Sequence, residues 1–273
     1  MNLENKPKVS IIMGIYNCEN TIKESIESIL NQTYENWELI MCNDSSIDNT
    51  CNIAREYQKK NPDRIKLIEN ESNLGLAASL NRCLEYATGK YIARQDGDDI
   101  SIHNRLEKQV EFLEQNKEYD LVGTRMISFD ENKTNGIRGG GIEKPTHIML
   151  TTSTPFCHAT IMTRDYVYKQ LQGYRVNKYT RRCEDVDLWF RFFEKGYKGY
   201  NLQEALYMVR DEIDAYKRRT FKSYLDLTII NIQGYKRVKM PISKYIFIIK
   251  PLISAIIPKS IMKKYHDRRC NIN

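Results

Sequence analysis

Asp96-Gly97-Asp98-Asp99 packs three carboxylates into four residues. Like charges this close repel unless a cation or hydrogen-bond donors offset them. A hard divalent ion such as Mg²⁺ or Mn²⁺ takes one or two carboxylates and phosphate oxygens from a substrate. Alternation along an extended segment would place Asp96 and Asp98 on one side and Asp99 on the other. The plainer reading is an acidic turn, with Asp99 capping a helix that follows at Asn104. A second acidic run, Glu184-Asp185-Val186-Asp187, precedes Leu188-Trp189-Phe190-Arg191-Phe192-Phe193. Acids in the first turn of a helix are stabilised by about 0.3–1 kcal/mol through the macrodipole, so Glu184 and Asp185 also suit ordinary caps.

The elements around these runs follow from periodicity. Val9–Tyr16 is a continuous apolar run, as expected of a strand buried on both faces. Residues 21–32 carry Ile22, Ile26, Ile29 and Leu30 on one helical stripe. Strands are expected at Trp37–Cys42, Ile65–Glu69 and Lys90–Gln95, with helices at Ile47–Lys60 and Leu74–Ala87. Alternation at this spacing makes βαβ units and a mostly parallel sheet. Further on, a helix is expected at Asn104–Asn116, a strand pair at Asp120–Phe129 and a short strand at His158–Thr163. Another helix is expected at Asp185–Lys195 and a last strand at Ala205–Arg210. The Gly-rich stretch Asp130–Lys144 reads as a mobile loop.

In an open parallel sheet, ligands bind beyond the carboxyl ends of the strands. Those ends hold Tyr16-Asn17, Asn43-Asp44-Ser45-Ser46 and the Asp96–Asp99 cluster. No GxGxxG follows the first strand and no GxxxxGK[ST] occurs, which removes the main support for dinucleotide-binding and P-loop readings.

The order of these segments resembles the family 2 glycosyltransferases, inverting enzymes of the GT-A fold that use nucleotide-sugars. The resemblance runs from Val9 to about Arg210. It is carried by VSIIMGIYN, LNQTYENWELIMCNDSSIDNT, NLGLAASLNRCLEYATGKYIARQDGDD, HATIMTR and CEDVDLWFRF in register. It implies that Tyr16 lies near the donor base, that Asp44 reads the base edge, and that Asn73 and Gly75 approach the nucleotide, with Asn81 structural. By the same resemblance Asp96 faces the nucleotide and Asp98 reaches the diphosphate through Mn²⁺ or Mg²⁺, with Asp99 an adjacent metal candidate. Asp185 matches the catalytic base and Glu184 an acceptor-orienting partner. His158 sits where relatives have a His near the donor–acceptor junction. Trp189 is a candidate for lining an acceptor groove, although its cluster is more often core. Many relatives also carry a His after the last strand. This chain has Arg210-Asp211-Glu212 there, which makes Arg210 a candidate for neutralising the diphosphate and puts Asp211 near the ion.

Composition bounds the rest. The chain has 273 residues and a net charge of +7, unevenly divided. Residues 217–273 hold 14 Lys and Arg against two acids, +12, while residues 1–216 hold 28 bases against 33 acids, −5. The expected division is a GT-A domain over 1–215 and a basic amphipathic helical region over 216–273. In the latter, Tyr245–Ile257 is apolar, only 13 residues long and interrupted by Pro251. That is too short for a bilayer span, and with flanking bases it suits helices lying on an anionic membrane surface. A helical pair packed on the body is the alternative. Seven scattered cysteines without a CxxC fit reduced thiols, and no secretory signal is evident, so a cytoplasmic location on the inner face of the plasma membrane is expected.

The resulting expectation is a metal-assisted inverting transferase. It would move a sugar, most readily from a UDP-sugar, to a hydroxyl of a glycan or polyprenyl-linked glycan in surface polysaccharide synthesis. A sugar-phosphate nucleotidyltransferase would need a Gly-rich, Arg-bearing loop after the first strand, where this chain has Gly14-Ile15-Tyr16-Asn17-Cys18. A nucleic-acid binder would leave the acidic strand ends unexplained and set a polyanion against an acidic body. An inactive sugar-nucleotide-binding relative remains the other alternative.

Overall fold

The computed structural model describes residues 6–130, 133–210 and 220–256. The N-terminal half alternates strand and helix: β1 (Val9–Ile15), α1 (Ile22–Leu30), β2 (Trp37–Asn43), α2 (Thr50–Lys60), β3 (Ile65–Glu69), α3 (Leu76–Tyr86) and β4 (Tyr91–Arg94). Then come β5 (Ile100–Ser101), α4 (Arg105–Gln115), β6 (Leu121–Phe129), β7 (Thr134–Arg138), β8 (Met162–Arg164), α5 (Asp165–Leu171), α6 (Glu184–Glu194) and β9 (Gly199–Arg210). The C-terminal part is α7 (Phe221–Arg237), a 3-10 segment Ile242–Ile249 and α8 (Lys250–Ile256).

All nine strands form one sheet in the order β3-β2-β1-β4-β8-β6-β9-β5, with β7 added beside β6. β1, β2, β3 and β4 are parallel, as βαβ alternation requires. β8 runs antiparallel to both β4 and β6 and joins the parallel half to the mixed half. The α/β architecture with a mostly parallel N-terminal sheet is therefore as expected.

Alternation along β1 explains the two cores. Val9, Ile11, Met13 and Ile15 point to a layer holding Ile22, Ile26 and Ile29 of α1. Ile12 points to the other layer, with Leu80 of α3 and the aromatics of α6.

Three expectations change. The expected pair at Asp120–Phe129 is one strand, Leu121–Phe129, and its hairpin partner β7 lies inside the stretch expected to be a loop. The last strand begins at Gly199, because Gly199–Leu202 pair in parallel with Leu121–Thr124. Residues 158–160 form a 3-10 turn, and only Met162–Arg164 are strand. For the last strand the deciding partner, β6, is remote in sequence, which local periodicity does not register.

The expected domain boundary at 215/216 lies among residues 211–219, outside the described residues, as do Asp211 and Glu212. The described part of the C-terminal region packs on the body. Arg237 of α7 donates to Glu194 of α6 at 2.9 Å, and Lys250 of α8 donates to the Thr152 carbonyl at 2.6 Å. Gly234 of α7 lies flat on the Phe190 ring, where an added Cβ would come within 2.2 Å of the ring. Gly234→Ala is accordingly expected to destabilise the protein by about 1–3 kcal/mol, read as a lower urea midpoint for the transition that exposes Trp189.

Candidate active site

The carboxyl ends of β1 and β2 are tied to each other by side chains. The Ile47 amide donates to Asn17 Oδ1 at 3.0 Å, and the Asn17 amide donates to Ser46 Oγ at 3.1 Å. Asn17 and Ser45 both adopt left-handed backbone conformations, φ 47° and 60°. Asn and Ser are short polar side chains that bond locally in such turns.

Asp44 organises the next wall. Its Oδ1 accepts from the Leu74 amide at 2.9 Å and from Asn70 Nδ2 at 2.7 Å, and its Oδ2 accepts from the Gly75 amide at 2.8 Å. Gly75 has φ 89°, a conformation costly for a residue with a Cβ. Asp44 thus fastens the Asn73–Gly75 segment, and a carboxylate with about four acceptor positions retains room for one further donor. Asn73 and Leu74 are exposed above it.

A cleft of about 440 Å³ opens here, lined by Tyr16, Asp44, Asn73, Gly75, Thr180, Arg181, Arg182 and Glu184 among others. It gathers four of the five expected donor-binding residues and one of the two expected catalytic acids. Tyr16 presents its ring at 48% exposure. Arg181 and Arg182 add positive charge to the same lining as Asp44 and Glu184. Nothing in their local sequence distinguishes them from other surface bases, so sequence reasoning passed over them.

The acidic segment after β4 forms a compact turn, closed by the Asp99 amide donating to the Asp96 carbonyl at 3.4 Å. It is not extended, yet the expected partition holds: Asp96 and Asp98 are half-exposed and Asp99 is buried. Asp99 caps no helix. Its Oδ1 accepts from the Arg210 amide at 2.9 Å, and α4 begins at Asn104 as N-cap. Burial, reinforced by the charges of Asp96 and Asp98, pushes the Asp99 carboxyl up to about 8.

Beneath the turn lie two buried arginines. Arg94 is 1% exposed, pairs with Asp96 at 2.7 Å and donates to the Gln95 carbonyl at 2.9 Å. Burial is the largest influence and would lower its pKa, but the Asp96 charge together with Tyr174, Tyr207 and Tyr168 outweighs it and keeps the guanidinium protonated. Arg105 donates to the Arg94 carbonyl at 2.6 Å, to Ser101 Oγ at 2.7 Å and to Gln95 Oε1 at 3.1 Å. With no carboxylate on it, burial draws Arg105 down to about 10. Tyr207 completes the floor, its hydroxyl accepting from the Asp96 amide at 3.1 Å. Arg94 was legible as an anomaly, a charge ending the apolar strand Tyr91-Ile92-Ala93. Arg105 and Tyr207 lie on α4 and β9 and become neighbours only through the sheet.

A divalent ion fits this donor set. Asp96 and Asp98 offer hard oxygens at a strand end, and no group of three or more candidate protein ligands occurs among the described residues. Such an ion would take its remaining ligands from water and a bound diphosphate.

Glu184 and Asp185 open α6, with Cys183 as N-cap. Burial pushes Glu184 up to about 7, Asp185 adds to the rise, and Arg94 opposes it. Asp187, one turn in, is buried and bridges Arg175 at 2.8 Å and Arg191 at 2.7 Å. Arg191 also donates to the Leu171 and Gly173 carbonyls, so this pair fixes the entrance of the 173–183 loop that carries Arg181 and Arg182. Asn81 bonds both backbone groups of Tyr174, the structural role expected of it.

Three expected contacts fall elsewhere. Trp189 is fully buried against Phe156, His158 and Phe192 and cannot line an acceptor groove. Its position on α6 turns it to the core layer. His158 is half-buried and bonded through Nε2 to the Tyr174 hydroxyl at 2.8 Å, with burial and then Arg94 holding it well below the usual imidazole range. It is a neutral member of a buried network. Arg210 reaches the acidic turn, but its guanidinium pairs with Glu24 and donates to the Asp98 carbonyl at 3.1 Å, so it braces the turn.

Comparison with known proteins gives the same fold and family. The family model described as "Glycosyl transferase family 2" matches residues 10–171. EpsE of Bacillus subtilis (strain 168), a protein carrying a provisional glycosyltransferase name, is 57% identical over 265 residues, 96% of this chain and 94% of that protein. The Escherichia coli protein WfaP, named a UDP-Glc:alpha-D-GlcNAc-diphosphoundecaprenol beta-1,3-glucosyltransferase, is 34% identical over 193 residues, 71% of this chain and 73% of that one. Among solved structures, S. aureus TarS 1-349 in complex with UDP-GlcNAc superimposes with a TM-score of 0.69 at 18% identity, covering 92% of this chain and 82% of that chain.

The raised Glu184 pKa has a stability consequence. The folded carboxyl stays protonated to about pH 7, whereas the unfolded one ionises from about 4.5. Stability is therefore lost as pH rises through that window. Glu184→Gln is expected to be up to about 3 kcal/mol more stable relative to wild type at pH 8 than at pH 4.5, read from urea unfolding at the two pH values. A difference that does not change with pH would show that Glu184 titrates normally.

Proposed function

The chain belongs to glycosyl transferase family 2, and on that footing we propose that it transfers a sugar from a UDP-sugar to a hydroxyl of a lipid-linked glycan in surface polysaccharide synthesis, with inversion. It is a glycosyltransferase of the GT-A fold. The observation that carries the finer reading is the single cleft holding Tyr16, Asp44, Asn73, Gly75 and Glu184, gathered from β1, β2, the α3 entrance and the α6 entrance. The donor and acceptor classes are supported by the name of WfaP, which specifies UDP-Glc and a diphosphoundecaprenol-linked sugar.

In this reading Tyr16 stacks on the base, and Asp44 uses its remaining acceptor position toward the base edge while holding Asn73–Gly75 against the nucleotide. Asp98, with Asp96, would hold Mn²⁺ or Mg²⁺, which supplies positive charge to the departing nucleoside diphosphate. Arg181 and Arg182 approach that diphosphate from the opposite wall. Asp185 removes the proton of the attacking hydroxyl, and one base suffices because inversion requires no covalent intermediate. Glu184, near neutrality in pKa, is protonated for part of the time and can donate a hydrogen bond that orients the acceptor.

Calorimetric titration with UDP tests the donor site. Wild type is expected to bind UDP more tightly with Mn²⁺ than without, and Asp98→Ala to lose at least about tenfold of that gain. Failure of folded wild type to bind UDP, GDP or dTDP under either condition would remove the donor assignment. Asp185→Asn is expected to keep UDP binding and to lose about 10²–10⁴-fold in kcat. A loss below tenfold would put the base elsewhere.

A further inference from the structure

The residues after α7 show an apolar face turned to solvent. Ile242, Ile246, Ile249, Ile253 and Ile256 are 88%, 69%, 49%, 52% and 80% exposed. They recur at intervals of four, three, four and three residues through the 3-10 segment and α8. The inward side of the same stretch is already satisfied, since Pro251 is buried and Tyr245 and Ile248 pack on the core layer of α6. α7 adds exposed Phe221, Leu225 and Ile232. A helix packed on a soluble body normally turns polar residues outward, so a row of five isoleucines needs an occupant.

Charge identifies that occupant. Residues 227–266 contain eight Lys and Arg and no Asp or Glu. Within the described part, Lys236, Lys239 and Lys244 flank the apolar row, while Arg237 and Lys250 bond to the body. A second copy seated on this face would bring two such basic surfaces together, which like-charge repulsion opposes. No described helix is long and apolar enough to cross a membrane, and the fifteen residues from Ile242 to Ile256 extend roughly 25 Å along their axis. Bases beside a short apolar ridge are the composition of a segment lying in the plane of an anionic lipid interface, with isoleucines among the acyl chains and ammonium groups at the phosphates.

We propose that the Ile242–Ile256 ridge docks the enzyme on an anionic lipid bilayer. The inference rests on the preceding reading only for why a bilayer would be there, as the place where a lipid-linked acceptor resides. Docking has a geometric consequence. Lys250 anchors the ridge to the 3-10 turn at Thr152, and Gly234 and Arg237 fix α7 against α6. α6 begins with Glu184 and Asp185. The bilayer plane is thereby set relative to the helix that carries the candidate base, through contacts that do not involve the donor cleft.

The test is flotation of the full-length chain with phosphatidylcholine vesicles, with and without phosphatidylglycerol, in the absence of donor and acceptor. Wild type is expected to float with the anionic vesicles and much less with the neutral ones. The double variant Ile246→Asp with Ile253→Asp is expected to lose at least about tenfold in vesicle affinity. Its UDP titration and thermal unfolding should match wild type, because both positions are exposed. Wild type that stays with the soluble fraction, or a variant that floats as well as wild type, overturns the proposal. So does concentration-dependent dimerisation of wild type, lost in the variant, without flotation. UDP binding reads out separately, so loss of docking and loss of the donor assignment are distinguishable.

Discussion

The candidate site depends on one buried ion pair. Arg94 is enclosed by the junction of β4, β8 and the turn that follows, and it meets Asp96 at 2.7 Å. A guanidinium taken from water at that depth needs a carboxylate, and removing Asp96 would strand a buried charge. The pair therefore dictates where the acidic turn begins. Asp98 is left half-exposed and Asp99 folds under to meet the Arg210 amide. Arg105 and Tyr207, from α4 and β9, close the floor, so a turn only four residues long is held from β4, α4 and β9. The Arg94 charge is also felt at Glu184 and His158, which lie on other elements.

The second organising contact is Asp44. Three donors converge on one carboxylate, two of them backbone amides of a segment with few other tethers. This makes that wall of the cleft a property of the fold itself. The opposite wall is fixed similarly, through the Asp187 bridge that binds Arg175 and Arg191 and steadies the entrance of the 173–183 loop. Preformed walls with fixed charges need little reorganisation when charge develops on a leaving group.

α6 joins these regions to the C-terminal helices. Its first turn holds the acids, its middle buries Trp189, Phe190 and Phe192, and its last turn meets α7 through Glu194 and Arg237. One helix does three things along its length, which explains why an aromatic near the acids of its first turn belongs to the core. Trp189 was read as a possible acceptor contact because sequence shows adjacency to Glu184 and Asp185. Trp189 lies one turn further into α6, where Phe156 and Phe192 cover it.

The sequence by itself determined the alternation of buried strands and amphipathic helices, the parallel order that follows from it, and the strand ends where acids collect. It also carried the family, because five separated segments in register are a pattern that local propensity does not produce. These are features written within runs of ten to thirty residues, where hydrophobic period and turn chemistry act directly. Tertiary structure alone decided the pairing of β6 with Gly199–Leu202, the meeting of Arg94 with Arg105 and Tyr207, the burial of Trp189 in the core, the bonding of His158 to Tyr174, and the engagement of Arg210 with Glu24. Each is a contact between residues tens to almost two hundred positions apart. Their energies come from burial and from satisfying buried charge, and those costs exist only once the sheet has closed over them.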